Sequence, residues 1–549
     1  MKKDYTPENE LLFVALGGSG EIGMNVNLYG CDGQWLMVDL GMTFSGNEYP
    51  GVELVFADLE FIEERRENLC GIVLTHGHED HIGAVPYFAA DLGVPLYATP
   101  FTAELVRRKL EEAGLVDQVE LNIISGPDSF ALGPFDISYV PLAHSIAEGN
   151  ALLIETEYGR VFHTGDWKLD EEPIIGEPAT EAELRALGDE GIDVLVCDST
   201  NVFNPVASGS EGAVYKGLMA EVARHRGKRV VVTTFASNVA RLETLGAVAR
   251  ACGRQVCIAG RSLERILEVG RSCGYLADFP EPVDFDTAMG LPRGEVLVIA
   301  TGGQGEPRAA LSRMAEDQHP IELVSGDVVL FSSRQIPGNE IAIGRVQNQL
   351  ASRGIVMVTD RQAEIHVSGH PGAPELAALY SWLRPQTLVP VHGEIRHMAE
   401  QARLGKRQGI PDQIVQKNGD LLRLAPGKPG KLTEIFTGRL VLDGDILVPA
   451  DGEAITMRRR MARDGMLIVV LDEKNRASVE GFGLPLDEDY ADFVTEARQD
   501  VADAITKLRG PARKDREEIR EAARIAARRA ANRWCGKKAQ VRVILTGKS

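Results

Sequence analysis

Between residues 74 and 83 the chain reads Leu-Thr-His76-Gly-His78-Glu-Asp80-His81-Ile-Gly. Three histidines and an aspartate within six positions form a dense set of donors in a chain with 11 histidines among 549 residues. Imidazole and carboxylate are the ligands that hydrolytic zinc sites use. A loop carrying them can aim His76 and His78 at one metal and Asp80 and His81 at another. Such a metal pair lowers the pKa of a shared water from about 15.7 toward about 7, which points to hydrolysis. A solvated polar loop with accidental histidines does not account for this density.

A second set of candidates is more dispersed. His144 in Pro-Leu-Ala-His144-Ser and Asp166 in Phe-His-Thr-Gly-Asp166-Trp-Lys each follow an apolar stretch. Alone, each reads as an ordinary satisfied polar residue; beside a cluster that needs more ligands, they complete a shell. Further acids and histidines stand later in the chain, Asp198 in Val-Cys-Asp198-Ser-Thr, His370 in His366-Val-Ser368-Gly-His370 and His392 in Val-Pro-Val-His392-Gly-Glu. The blander alternatives are a loop capping a helix for 366–370 and a strand-end histidine for His392.

These residues need elements to position them. Up to about residue 200 the pattern is strand-rich, with strands predicted at 71–75, 151–155, 161–163 and 194–198. Strand and helix then alternate: 229–235, 255–259, 296–300, 328–331 and 355–359 read as strands, and 238–252 and 262–273 as helices. That alternation implies parallel crossover units and a separate α/β layer. A helix at 374–383 and a strand at 387–391 follow. Gly and Pro loosen the chain around 426–431, and from residue 466 a small unit begins with a strand and ends in an Arg/Ala-rich helix near 513–534. The sequence contains no internal repeat or low-complexity tract.

One stretch imitates a nucleotide cradle. Leu-Phe-Val-Ala-Leu-Gly-Gly18-Ser-Gly20-Glu-Ile-Gly23 fits the dinucleotide fingerprint, and Asp39 stands where a ribose-binding acid is expected. That fingerprint requires a helix after the third glycine. Here residues 24–29 alternate at period two, 30–33 read as a turn and 34–39 as a second strand, so the segment is a hairpin. Glycine punctuation recurs in Thr301-Gly-Gly-Gln-Gly-Glu-Pro307, which reads as a Gly-rich turn or an anion nest of backbone amides.

Bulk properties bound the class. The length suggests about three domains, and 44% hydrophobic with 25% charged residues is ordinary for a globular protein. No segment approaches the roughly 20 apolar residues of a membrane helix, and the apolar run at 11–16 is too short for a secretory signal. A cytoplasmic location without membrane attachment is the expectation. Seven scattered cysteines without metal-type spacing read as buried reduced thiols. The net charge of −21 is uneven: residues 501–549 carry 14 Lys plus Arg against 5 Asp plus Glu, a balance of +9 that leaves −30 for the rest.

The order of these motifs resembles the metallo-β-lactamase superfamily. Asp198, His370 and His392 are similar to motifs A, B and C of its β-CASP nucleases, a branch with an α/β domain inserted into the hydrolase fold. The strings at 16–23, 301–307 and 336–340 resemble the ribonuclease J family over nearly the whole chain. The resemblance implies an α/β chain: a metallo-β-lactamase αββα sandwich, an inserted β-CASP α/β domain and a small α+β C-terminal domain. The expected partition is hydrolase 1–205 and 373–450, insert 206–372, linker 451–464 and an assembly domain at 465–549.

The resemblance also implies roles. His76, His78 and His144 would hold one zinc, and Asp80, His81 and His392 the other, with Asp166 bridging the two Zn(2+) ions of each subunit. Asp39 would orient a ligand histidine from the second layer. His370, held by Asp198, is the candidate acid for the departing 3′ oxygen; these two and Asp80 are the candidate catalytic residues. Ser333, His366 and Ser368 suit a pocket for an RNA 5′-phosphate. The implied activity is both 5′-to-3′ exonucleolytic and endonucleolytic cleavage of single-stranded RNA in its processing and decay. A homodimer or homotetramer and an RNA helicase or degradation-complex partner are implied too. Two rivals remain: a thioester or lactam hydrolase of the same superfamily, against which the insert and His392 argue, and a non-catalytic RNA-binding scaffold, against which the intact ligand set argues.

Overall fold

The computed structural model describes residues 8–46, 48–126, 129–335 and 338–546, so Ile336 and Pro337 of the 336–340 string lie outside the described residues. The chain forms two compact units, Met1–Thr43 with Phe56–Thr437, and Phe44–Val55 with Gly438–Ser549.

Two mostly apolar sheets form the base of the first unit. Among the described residues, one has eight strands, in the order 430–434, 420–425, 11–17, 26–31, 34–38, 69–73, 96–98 and 121–123. The other has seven, in the order 129–132, 135–141, 150–156, 159–163, 194–198, 387–391 and 412–413. Their facing sides share one core: Leu11, Phe13, Leu36 and Val73 from the first pack with Phe135, Ile137, Val161, Val196 and Val389 from the second. The outer face of the second sheet buries Leu153, Phe162 and Leu195 against Leu184, Leu376, Leu379 and Leu404 of the helices Glu181–Glu190, Ala373–Leu383 and Ile395–Arg407. Strands covered on both faces are continuously apolar, as Leu11–Gly17 and the first four residues of Val194–Asp198 are, because no face is left for water. This is the expected αββα sandwich.

After Val194–Asp198 the chain leaves the sandwich and builds a sheet of five parallel strands, in the order 255–259, 296–300, 230–233, 328–331 and 356–358. It returns as Thr387–Val391, which pairs in parallel with Val194–Asp198 from Val194↔Thr387 to Asp198↔Val391. Two strands far apart in sequence are thus neighbours, and Asp198 ends beside the residue preceding His392.

The hairpin reading of the glycine-rich segment holds: Val26–Cys31 pairs antiparallel with Gln34–Val38, and the loop before it contributes Ser19–Gly20, which pairs in parallel with Gly393–Glu394. The second unit has a three-stranded sheet, Ala477–Phe482, Met466–Leu471 and Gln540–Leu545, covered by the helices Tyr490–Thr506 and Arg516–Cys535 around Phe493, Val501 and Ala527. The cysteines are all free, but only Cys31, Cys197 and Cys257 are buried; Cys70, Cys252, Cys273 and Cys535 are partly exposed, a correction to the expectation of buried thiols. Among the described residues no helix is long and apolar enough to cross a membrane.

Candidate metal centre

The site lies at one edge of the sandwich, where strands end and loops begin. His76 and His78 follow Leu69–Val73, and Asp80 and His81 occupy the helical turn Glu79–Ile82. His144 follows Phe135–Pro141, Asp166 follows Gly159–His163, Asp198 closes Val194–Asp198 and His392 follows Thr387–Val391. Asp39 and His392 have φ of +65° and +51°, the left-handed region that residues other than glycine rarely adopt and that concentrates at functional sites.

Three groups of ligand atoms converge here. In the first, His78 Nδ1 stands 3.1 Å from both His76 Nε2 and His144 Nε2, with Asp166 Oδ2 3.9 and 3.8 Å from the latter two. In the second, His392 Nε2 is 3.0 Å from Asp80 Oδ2, and His81 Nε2 is 3.7 Å from Asp80 Oδ2 and 3.3 Å from Asp166 Oδ2. Asp166 belongs to both, and also to a third group with Asp198, His370 and His392. Ligands about 2.0–2.1 Å from a tetrahedral zinc are separated from one another by roughly 3.4 Å, so these spacings suit shared cations. A direct test of fit is Asp166 Oδ1, which is buried and has no hydrogen-bond partner among the described residues. A buried carboxylate oxygen without a hydrogen bond, its nearest charged neighbour His392 Nδ1 at 3.8 Å, is costly unless a cation or donor meets it.

The electrostatics separate the two clusters. Burial, reinforced by neighbouring imidazoles, drives the pKa of His76 and His144 well below the ordinary histidine value and that of His78 down to about 4. These rings are therefore neutral, the form that ligates metal. For His81 and His392 burial acts in the same direction, but Asp166 and the other carboxylates outweigh it and raise both. Burial pushes the Asp80 and Asp166 carboxyls up, yet the surrounding imidazoles win and hold both below the usual carboxylate range. Ionised carboxylates and imidazoles thus hold one another's charge here, a donor set on which a cation can replace protons.

Each ligand ring is oriented through its other nitrogen. Asp39 accepts from the Thr75 amide at 2.7 Å, from the Thr75 hydroxyl and from His81 Nδ1 at 2.7 Å. Thr75 Oγ1 is in turn 3.0 Å from His76 Nδ1. Thr200 Oγ1 lies 2.6 Å from His392 Nδ1 and donates to the His392 carbonyl. The glycine loop borders the site: Gly18 O accepts from the His392 amide at 2.7 Å, and Asn25 binds the Asp80 carbonyl through its amide at 2.8 Å. A methyl group on Gly41 would meet the Asp80 carbonyl oxygen at 1.8 Å and the Asn25 nitrogen at 2.9 Å. Gly41→Ala is expected to displace the 76–81 loop and weaken metal retention about 10–100-fold. Elemental analysis after dialysis against graded chelator checks this; wild-type retention would show the loop absorbs the methyl.

His370 differs from the ligand histidines. Its Nδ1 is 2.7 Å from Asp198 Oδ2, and its side chain is 23% exposed against 3% or less for His76, His81, His144 and His392, with His78 the one ligand histidine that is also partly exposed. Burial lowers its pKa, but Asp198 and Asp166 outweigh that and raise it, while Asp198 itself is held low by His370 against burial.

The three candidate phosphate-binding residues are not all disposed alike. Ser333 follows Val328–Phe331 and its hydroxyl is 3.5 Å from the Gly303 carbonyl. The chain at 365–366 abuts Ser332, whose hydroxyl donates to the Ile365 carbonyl. His366 Nδ1 is buried without a partner among the described residues; burial and then Arg241, Arg334 and Lys168 lower its pKa. Ser368 instead braces the motif at 370, donating to the His370 carbonyl and accepting from the His370 amide, both at 3.1 Å. In the 301–307 loop the Gln304 amide is bound by the Glu306 carboxylate, which removes one donor from an anion nest there. Thr75, Thr200, Asn25 and Gly41 escaped sequence reading; only adjacency to His76, Asp198 and the glycine loop marked the first three.

Four family models match the chain: the metallo-beta-lactamase superfamily over residues 23–197, the ribonuclease J beta-CASP domain over 227–350, a Zn-dependent metallo-hydrolase RNA specificity domain over 356–414 and the ribonuclease J C-terminal domain over 453–547. The chain is 41% identical to ribonuclease J of Sinorhizobium meliloti, covering 99% of this chain and 98% of that protein. It is 39% identical to ribonuclease J of Mycolicibacterium smegmatis, covering 84% and 83%. A crystal structure of a protein of unknown function from Enterococcus faecalis V583 matches with a TM-score of 0.54 and 16% identity, covering 75% of this chain and 100% of that one, a likeness of fold alone.

Proposed function

This chain belongs to the ribonuclease J family, and from that premise we propose that it is a zinc-dependent ribonuclease. It hydrolyses phosphodiesters of single-stranded RNA from a 5′-monophosphorylated end in the 5′-to-3′ direction, and cuts internally as well. The observation that carries the reading is the convergence of His76, His78 and His144 on one side and Asp80, His81 and His392 on the other into two ligand groups that share Asp166.

His76, His78 and His144 would hold one zinc, Asp80, His81 and His392 the second, and Asp166 both. When bound, a zinc pair supplies Lewis acidity to a water and to the phosphate. The remaining chemistry falls to side chains. Asp80 keeps the 76–81 turn and His392 in one frame through its 3.0 Å contact. His370, charged beside Asp198, delivers a proton to the departing 3′ oxygen as its bond to phosphorus breaks and the oxygen of water joins phosphorus, leaving 3′-hydroxyl and 5′-phosphate ends. Ser333 and His366, in the field of Arg241, Arg334 and Lys168, would receive the terminal phosphate, with Ser368 holding the His370 loop beside it. A cytoplasmic location, assembly through residues 465–549 as a homodimer or homotetramer, and an RNA helicase or degradation-complex partner complete the proposal.

The test is incubation of purified protein with uniformly labelled 5′-monophosphorylated RNA, with and without chelator, beside a chromogenic lactam. Chelator-sensitive release of mononucleotides is expected. Lactam hydrolysis with intact RNA would favour a small-molecule hydrolase, and RNA retention without cleavage a binding scaffold.

A further inference from the structure

The two ligand clusters are oriented from different parts of the chain. His81 is held by Asp39, and His392 by Thr200, both outside the inserted 206–372 stretch. In the three-histidine cluster only His76 is held locally, by Thr75. His78 turns Nδ1 into the cluster, so its Nε2–H faces outward and donates to Ser237 Oγ at 3.1 Å. His144 turns Nε2 inward, and its Nδ1–H donates to the Gly369 carbonyl at 2.6 Å. Ser237 lies in the stretch 227–350 that matches the beta-CASP domain, and Gly369 lies in the segment by which the chain leaves the last strand of the inserted sheet, Val356–Val358, within the stretch 356–414 that matches the RNA specificity domain.

Neither contact is loosely made. Ser237 sits in the turn between Val230–Thr233 and the helix Val239–Ala251. The next residue, Asn238, caps that helix by accepting from the Arg241 amide at 2.8 Å, and Arg241 forms a fully buried ion pair with Glu211 at 3.0 Å. The turn is thereby tied to the first helix of the insert, Glu211–Arg224. Gly369 approaches so closely that a methyl group there would stand 2.7 Å from Ser145 Oγ and 3.0 Å from His144 Cε1. Glycine is the residue that lets its carbonyl reach the ring.

We infer that Ser237 and Gly369 are positioning residues through which the inserted domain controls retention of the metal at the His76, His78 and His144 cluster, while the Asp80, His81 and His392 cluster is set by the hydrolase core alone. The inference rests on the two-zinc reading above. It makes the three-histidine site the one whose affinity changes with the seating of the insert, because partners that fix the tautomer and ring plane of a ligating histidine set its strength as a ligand.

The experiment follows metal release from the zinc-loaded full-length protein into a chromogenic zinc indicator, for wild type, Ser237→Ala, Ser237→Thr and the core control Thr200→Val. Ser237→Ala is expected to release one of two zinc equivalents about 10–100-fold faster while the other equivalent keeps its wild-type rate. Ser237→Thr, which keeps the hydroxyl, should restore the slow phase, and Thr200→Val should accelerate the other equivalent. An unchanged melting temperature of the metal-stripped Ser237→Ala protein separates this from a general loss of packing. Release of both equivalents from Ser237→Ala at wild-type rates, or equal acceleration of both, overturns the inference. A wild-type protein that binds fewer than two equivalents instead overturns the two-zinc reading on which it stands.

Discussion

Asp166→Ala is expected to leave a protein that binds less than one zinc per chain and cleaves RNA about 10²- to 10⁴-fold more slowly. The carboxylate faces five imidazoles, His76, His81, His144, His370 and His392, within 3.9 Å, and its second oxygen has no hydrogen-bond partner among the described residues. Removing one member of such a buried charged group costs about 3–5 kcal/mol, and each 1.4 kcal/mol or so is tenfold in an equilibrium or rate constant. Asp166 is also the carboxylate that both ligand groups share, so its loss removes a ligand and a counter-charge from each. Elemental analysis and single-turnover cleavage of labelled RNA measure the two losses together. Two tightly held zinc ions in the variant would show that Asp166 is a buried acid with another purpose. Chelation of the wild-type protein should reproduce the kinetic loss, and zinc should reverse it.

His370→Ala is expected to slow cleavage by about 10²–10⁴-fold while zinc content stays near wild type. The contrast with Asp166 is the diagnostic part. His370 lies in a third possible ligand group with Asp166, Asp198 and His392, so geometry alone permits it to bind metal. Its greater exposure and its 2.7 Å partner Asp198 favour proton delivery instead. An acid must be protonated to act, and Asp198 and Asp166 raise the pKa of His370 against the pull of burial. Wild-type kcat/KM should therefore fall on the alkaline side as this ring loses its proton, and His370→Ala should lack that limb. Loss of zinc from His370→Ala would transfer the residue from proton donor to ligand.

Much of the fold was legible because its signals are local. The strands 194–198, 255–259, 296–300, 328–331 and 387–391 have the predicted limits, since each is built on a short apolar run bounded by polar or turn residues. The hairpin after the glycine loop was readable from period-two alternation, which also excluded a dinucleotide cradle. Helix ends moved by one to three residues, as at Val239–Ala251 and Arg516–Cys535, where capping geometry and not hydropathy sets the limit. The exposure of four cysteines was not legible, because a thiol's burial depends on what packs over it.

Sequence by itself determined the chemistry on offer: a six-residue loop crowded with imidazole and carboxylate, further donors at the ends of apolar runs, and an alternating segment separating two of those runs. Spacing along a strand and its following loop is short-range, so residue types alone reveal it. Tertiary structure decided which donors meet. The parallel pairing of 194–198 with 387–391 brings His392 to Asp80 across 312 positions, and the insert's return sets Ser237 on His78 and Gly369 on His144. Ring orientation, tautomer and pKa follow from burial and from neighbours remote in sequence, and such neighbours exist only once the core has packed.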